Sequence, residues 1–476
     1  MVVLASAVAA GSAVLLASAT GAGAALAAGK AGQATGPWGT ATEVPGLAGL
    51  NVDGRAEVLS VSCGAPGDCA AGGSYQDSRR DLQGFVISEQ NGTWGTATEV
   101  PGLAALNVSG QAEVMSVSCD AVGDCAAGGY YYDKQGQQGF VVNEQDGTWG
   151  TAIEIPGLAA LSAGFAEVLS MSCAAAGQCA AGGYYYNQQG QQGFVVSELD
   201  GTWGNAIEVP GLAALNADGS AEVLSVSCDP TGDCVAGGTY KDARKRHQGF
   251  VASEAGGTWG NATYVPGLVA MNQGGQAATT SVWCPSAGTC AAGGYYKGKR
   301  TQQGFVVNEQ NGTWARAIEV PGLSSLNAGY AAVSSVSCTQ AGDCAAGGYY
   351  NDHHGHAQGF VAGEVNGTWG SAAGVPGLPM LNAGGTARIS SLSCSPAGNC
   401  AAGGNYLNHS GEQEAFVVSR RNGKWGKAIE VPGLGSLNAG VAQAWSVSCG
   451  QAGNCTAGGF YQDRKRKTQG FLVSQT

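Results

Sequence analysis

Eight tryptophans, Trp38, Trp94, Trp149, Trp203, Trp259, Trp314, Trp369 and Trp425, recur every 54 to 56 residues along a chain of 476. A period of that length means one supersecondary unit copied in tandem, and it constrains the fold more than any other feature does. The second copy reads as four strands. Ala112 to Cys119 alternates apolar with small polar residues, and Cys125 to Tyr132 is small and then aromatic. Gln138 to Glu144 is β-branched and aromatic, and Thr148 to Ile155 alternates again. Period-2 patterning between turn residues is the strand signal. Asn91-Gly92, Asp146-Gly147, Asp200-Gly201 and Asn311-Gly312 supply hairpin turns, because both residues of each pair tolerate positive φ.

Composition narrows the choice. With 81 glycines and only 12% charged residues, the chain excludes a long helical bundle. A net charge of −12 excludes a nucleic-acid partner held through its phosphates and an anionic membrane surface.

All sixteen cysteines fall into one Cys-x5-Cys pattern: Cys63/Cys69, Cys119/Cys125, Cys173/Cys179, Cys228/Cys234, Cys284/Cys290, Cys338/Cys344, Cys394/Cys400 and Cys449/Cys455. Such regularity predicts eight local disulfides and an oxidising, extracellular compartment. The spacing is not that of a zinc site and no histidine recurs beside the pairs, so neither a metal nor a cofactor is expected. Met1 to Ala28 is apolar and small, with Ala25-Leu26-Ala27 as an A-x-A site, and reads as a signal peptide over 1–27. It lacks the usual preceding Lys or Arg. A short linker, 28–35, then leads to the repeats at 36–476. No membrane insertion is expected after cleavage.

Four strands in about 55 residues make a propeller blade. The array begins within a unit, at the Trp38 strand, and ends within a unit, at Gln469-Gly470-Phe471. The two fragments add to one unit. The expectation is therefore an all-β, eight-bladed propeller of four antiparallel strands per blade, in which the N-terminal strand completes the last blade. Closure of that kind removes both sheet edges.

The motifs GTWG-x-A-x-E-VPGL, SVSC-x5-CAAGGYY and QGFVVSE resemble the repeats of secreted actinobacterial propeller proteins. Ser88 to Trp94 also resembles the Asp-box hairpin of sialidase-like propellers, shortened by one residue. That box is a structural turn, so the resemblance implies a fold and no hydrolase activity.

Three sets of residues are candidates for ligand contact on the face carrying the crossovers between blades. The first pairs a tyrosine after each double glycine with an acid or amide two residues on. Its tyrosines are Tyr75, Tyr131, Tyr185, Tyr240, Tyr296, Tyr350, Tyr406 and Tyr461, and its partners are Asp77, Asp133, Asn187, Asp242, Asp352, Asn408 and Asp463. An aromatic face beside a carboxylate suits a sugar, and eight copies predict a ring of equivalent shallow sites. The second set is the asparagine of each Pro-Gly-Leu-x-x-Leu-Asn crossover, Asn107 and Asn216 among them. The third is Glu57, Glu113, Glu167 and Glu222, which open the inner strands of four consecutive copies, where Ala278, Ala332, Arg388 and Gln443 follow in the rest. They predict an acidic half of the channel mouth that attracts a cation or amine. His353, His354 and His356 in one loop are a weaker metal possibility.

The five histidines sit in loop-like sequence, which disfavours a Ser-His-Asp enzyme, and near-identical copies suit repeated binding better than one catalytic centre. The leading functional expectation is a secreted, lectin-like binder of extracellular or cell-surface glycans, multivalent, as a monomer or part of a secreted complex. Two alternatives stand beside it. One is a protein-interaction scaffold or targeting subunit of a secreted, toxin-like assembly. The other is an extracellular polysaccharide hydrolase or lyase that uses the channel glutamates.

Overall fold

A computed structural model describes residues 37–475 except 66, 176 and 452. The expected signal peptide and linker lie outside the described residues. Each repeat folds into one twisted antiparallel sheet. In blade 2 the strands are Ala112–Cys119, Cys125–Tyr132 and Gln137–Gln145, followed by an outer strand in two short pieces, Thr148–Trp149 and Ile153–Glu154. Strand order from the channel outward follows the chain.

In blade 8 the inner strands Ala442–Cys449, Cys455–Gln462 and Thr468–Ser474 come from the C-terminus. The outer strand comes from the N-terminus: Thr42 pairs with Leu472 and Glu43 with Phe471, and Trp38 bridges to Gln475. The protein is an eight-bladed β-propeller closed by its own two ends.

The outer strand, read from sequence as continuous, is broken in its middle. Gly150 N–H still bonds to Asn143 of its own sheet, but Ala152 N–H turns to the carbonyl of Pro101 in the preceding crossover, 2.8 Å away. The same switch repeats at Ala97 to Pro45 and Ala206 to Pro156. The outer strand thus stitches each blade to the crossover entering it. After each crossover Pro-Gly, a single helical turn such as Leu103–Leu106 carries one leucine into the core. Gly102 stands before that turn at φ +81°, which a side chain resists.

Packing between blades forms eight equivalent cores. In one of them Val114, Val117, Tyr131 and Phe140 of blade 2 meet Ala70 and Val86 of blade 1. The phenylalanine of every Gln-Gly-Phe, from Phe85 to Phe471, is fully buried. Each contributes roughly 2 to 3 kcal/mol of hydrophobic stabilisation.

All eight Cys-x5-Cys pairs are disulfides. They join Cys63 to Cys69, Cys119 to Cys125, Cys173 to Cys179 and Cys228 to Cys234 in the first four blades. Cys284 to Cys290, Cys338 to Cys344, Cys394 to Cys400 and Cys449 to Cys455 follow in the rest. Each staples the hairpin between the first two strands. That hairpin shares one face of the ring with the Asn-Gly turns, where Asn91 N–H donates to Asp68 and Gly92 N–H to Gly67 O. The crossovers and the loops between the second and third strands occupy the opposite face. Inner strands span the two faces and surround a central channel.

Candidate functional site

The conspicuous tyrosines do not form a binding surface. Tyr75, Tyr131, Tyr185, Tyr240, Tyr296, Tyr350, Tyr406 and Tyr461 are all buried, between 1% and 8% exposed. Where the outer strand carries a glutamate, the phenol donates to it: Tyr75 to Glu99, Tyr185 to Glu208, Tyr296 to Glu319, Tyr406 to Glu430 and Tyr461 to Glu43, at 2.6 to 3.4 Å. These residues tie the second strand to the outer strand. Burial removes their rings from any solute, and with them the basis for eight equivalent sugar sites.

The cysteines also belong to the scaffold. The second member of every pair, Cys69, Cys125, Cys179, Cys234, Cys290, Cys344, Cys400 and Cys455, is buried. Each is the first or second residue of the second strand of its blade, and its sulfur is spent on the staple.

The partner acids serve their own turns. Asp77 accepts from the backbone of Arg79 and Asp81. Asp133 accepts from Gln135 and Gly136, and Asp242 from Arg244 and Arg246. Asp352 does the same with His354 and His356, and Asp463 with Lys465 and Lys467. Asn107 and Asn216 are buried crossover fasteners. Asn107 donates to Leu82 O and Gln83 Oε1 and accepts from Gln111 N–H, and Asn216 repeats the pattern with Gln191, Gln192 and Ser220. In the histidine loop, His356 lies 3.8 Å from Asp352. No group of three metal-ligating side chains occurs among the described residues.

The glutamates are placed differently. Glu57, Glu113, Glu167 and Glu222 are half-buried at the crossover-face end of adjacent inner strands. Strand alternation puts an aromatic beside two of them, and Ser74 and Thr239 beside Glu57 and Glu222. Each inner-strand glutamate faces the residue before the buried tyrosine: Glu113 pairs with Tyr130 and Glu167 with Tyr184. Tyr184 Oη donates to Glu167 at 2.8 Å, Gln137 Nε2 donates to the same carboxylate at 3.0 Å, and Tyr132 Oη donates to Gln137 at 2.8 Å. One blade on, Tyr186 Oη bonds to Gln191 and Gln191 Nε2 to Glu222.

Burial raises the carboxyls of Glu113, Glu167 and Glu222 above the ordinary range. Hydrogen bonds from Tyr130, Tyr184, Gln137 and Gln191 offset this in part, and neighbouring carboxylates add to it for Glu113 and Glu222.

Phe165 completes the cluster. Its ring stacks at 6.1 Å from Tyr184 and meets Tyr186 edge-on at 5.4 Å, and Tyr184 and Tyr186 are 6.1 Å apart. At those separations the rings touch one another, so they form a platform and not a cage. Phe165 and Tyr186 are 36% and 41% exposed. The platform lies on blade 3 at the channel mouth, edged by hydrogen-bonded carboxylates of blades 3 and 4.

No family model matches the chain, and no curated protein matches it. Solved structures do. Sqt1 of Chaetomium thermophilum, bound to the N-terminus of ribosomal protein L10, is 12% identical over 90% of this chain and 98% of its own, with a TM-score of 0.51. The Hadza microbial sialidase Hz136 is 12% identical over 89% of this chain, which spans 66% of the sialidase, with a TM-score of 0.38. Polysaccharide lyase Uly1 is 9% identical over 74% of this chain and 87% of its own, with a TM-score of 0.44. At these identities the likeness concerns the fold alone.

The other half of the mouth differs. Blades 5 to 8 carry Ala278, Ala332, Arg388 and Gln443 in place of the glutamates, and the Arg388 guanidinium lies 5.4 Å over the Tyr349 ring. The inner ring is therefore asymmetric, with one acidic side and one nearly neutral side.

Proposed function

We propose that this chain is a secreted, lectin-like binding protein whose glycan site is the aromatic platform of blade 3. The supporting observation is the exposed Phe165–Tyr184–Tyr186 surface joined by hydrogen bonds to Glu167 and Glu222. A sugar presents C–H groups to an aromatic face and hydroxyls to a carboxylate, and both are offered within one patch. Eight disulfides fit the export this reading requires. One asymmetric patch replaces the ring of equivalent sites as the place of recognition.

The test is a glycan array on the exported protein, followed by calorimetry with the best ligand. Tyr186→Ala and Glu167→Gln are each expected to weaken binding about tenfold, or ~1.4 kcal/mol. An array without a single bound glycan, or full affinity in both variants, overturns the proposal.

A further inference from the structure

Ten tryptophans divide into eight that belong to the repeat and two, Trp283 and Trp445, that do not. Both exceptions stand on inner strands. Trp283 ends up at the disulfide-face end of the channel, where a cavity of about 560 Å3 opens, lined by the last residues of the inner strands. That volume lies within the roughly 300 to 1,000 Å3 typical of small-molecule sites.

The wall of this cavity follows a strict rule that Trp283 breaks. In seven blades the residue before the first cysteine is a serine whose Oγ accepts the amide of the cysteine in the next blade, at 2.9 to 3.0 Å. These bonds tie blade to blade around the channel. Accepting the amide leaves the hydroxyl hydrogen over, and for Ser62, Ser118, Ser172 and Ser448, half-buried on the lining, no protein acceptor takes it among the described residues.

In blade 5 that position is Trp283. The blade forgoes one of the interblade hydrogen bonds that the other seven make. A local departure from an otherwise uniform rule marks a functional or strained position. The indole is half-buried, lines the cavity, and has no partner for its N–H among the described residues. In an eight-membered ring blade 5 faces blade 1, so the half-buried Ser62, flanked by Ser448 and Ser118, lies across from it.

Among the described residues, Asp120 is the only charged one on the lining. Its Oδ1 takes three backbone amides at 2.8 to 3.1 Å, while its Oδ2 is buried without a partner. No cation lines the wall to hold an anion, and a wall of hydroxyls does not suit an apolar guest. An aromatic face, free hydroxyl donors and one unused carboxylate acceptor together suit a polyhydroxylated, uncharged ligand.

We infer that the disulfide-face end of the channel is a second binding site, taking a neutral saccharide of one or two residues with its ring laid on Trp283. This site is independent of the platform on the opposite face.

The test uses the whole protein labelled with 5-fluorotryptophan and followed by fluorine NMR. Trp283→Ser assigns the Trp283 resonance, and because it restores the serine of the repeat it is expected to fold with an unchanged or higher Tm. Maltose, cellobiose and N,N′-diacetylchitobiose are the probes. At least one is expected to shift the Trp283 resonance of the unsubstituted protein, and Trp283→Ser is expected to weaken that disaccharide about tenfold. Tyr186→Ala is expected to leave the shift intact. The inference falls if none of the three moves that resonance, or if Trp283→Ser binds the active disaccharide as tightly as before.

Discussion

A shift of one position along a strand separates the structural tyrosines from the accessible ones. Tyr185 is buried and bonded to Glu208, whereas Tyr184 and Tyr186, on the other face of the same strand, reach the channel mouth. Two substitutions test this parity. Tyr185→Phe is expected to lower stability by about 1 kcal/mol in denaturant unfolding with glycan binding unchanged. Tyr184→Ala is expected to do the reverse, weakening binding with little loss of stability. Protonation offers a second test at this scale. Burial, with Asp68, Asp124 or Asp233 nearby, pushes Glu89, Glu144 and Glu254 up to about 7 from an ordinary 4.5. The native state then holds protons that the unfolded chain has released. The stabilisation is complete below about 4.5 and is lost as pH rises through about 7. Thermal scans are expected to give a Tm several degrees higher at pH 5 than at pH 8, and Glu→Gln at all three positions is expected to flatten that profile.

At the scale of the element, the repeated Gly-Gly has two separate causes. The inner strand bulges in every blade, between Val114 and Ser116 in blade 2, and its carbonyl comes close to the second glycine. A Cβ on Gly129 would lie 1.9 Å from Glu113 O, whereas one on Gly72 would meet Val114 of the next blade at 2.5 Å. The second glycine seats the bulge, and the first lets the neighbouring blade close in. Gly129→Ala is accordingly expected to cost more than about 2 kcal/mol, as a backbone clash that no rotamer relieves. The disulfide hairpin is the other repeated device. Replacing Cys119 and Cys125 by serine is expected to cost roughly 2 kcal/mol, because the closed loop is short. The measurement is denaturant unfolding of the double variant under non-reducing conditions.

The whole molecule depends on closure. Trp38 Nε1 donates to Ser419, Tyr461 donates to Glu43, and the Thr42–Glu43 strand covers the edge that Phe471 and Leu472 would otherwise expose. Eight rings of contacts between neighbouring blades make the molecule cooperative only while the circle is complete. A truncation that starts the chain at Val44 is expected to lower Tm by more than about ten degrees and to promote aggregation through the open edge of blade 8. Scanning calorimetry and light scattering read both effects. An asymmetric function also belongs to this scale, since a circle of near-identical blades still presents an acidic side, a tryptophan-bearing side and two unlike mouths.

Period, cysteine spacing and turn residues were enough to determine the eight blades, the disulfides and the closure, because each is a local pattern whose geometry follows from strand alternation and fixed loop length. The glutamates at the start of the inner strands were legible for the same reason. The sequence alone did not show which tyrosines reach solvent. That depends on which face of the second strand packs against the neighbouring blade. It also did not show that Phe165 meets Tyr184 and Tyr186, or that Trp283 and Ser62 line one cavity. The first depends on how the crossover turns onto the blade it enters, and the second joins residues of opposite blades that only the curvature closing eight sheets into a ring brings to one cavity.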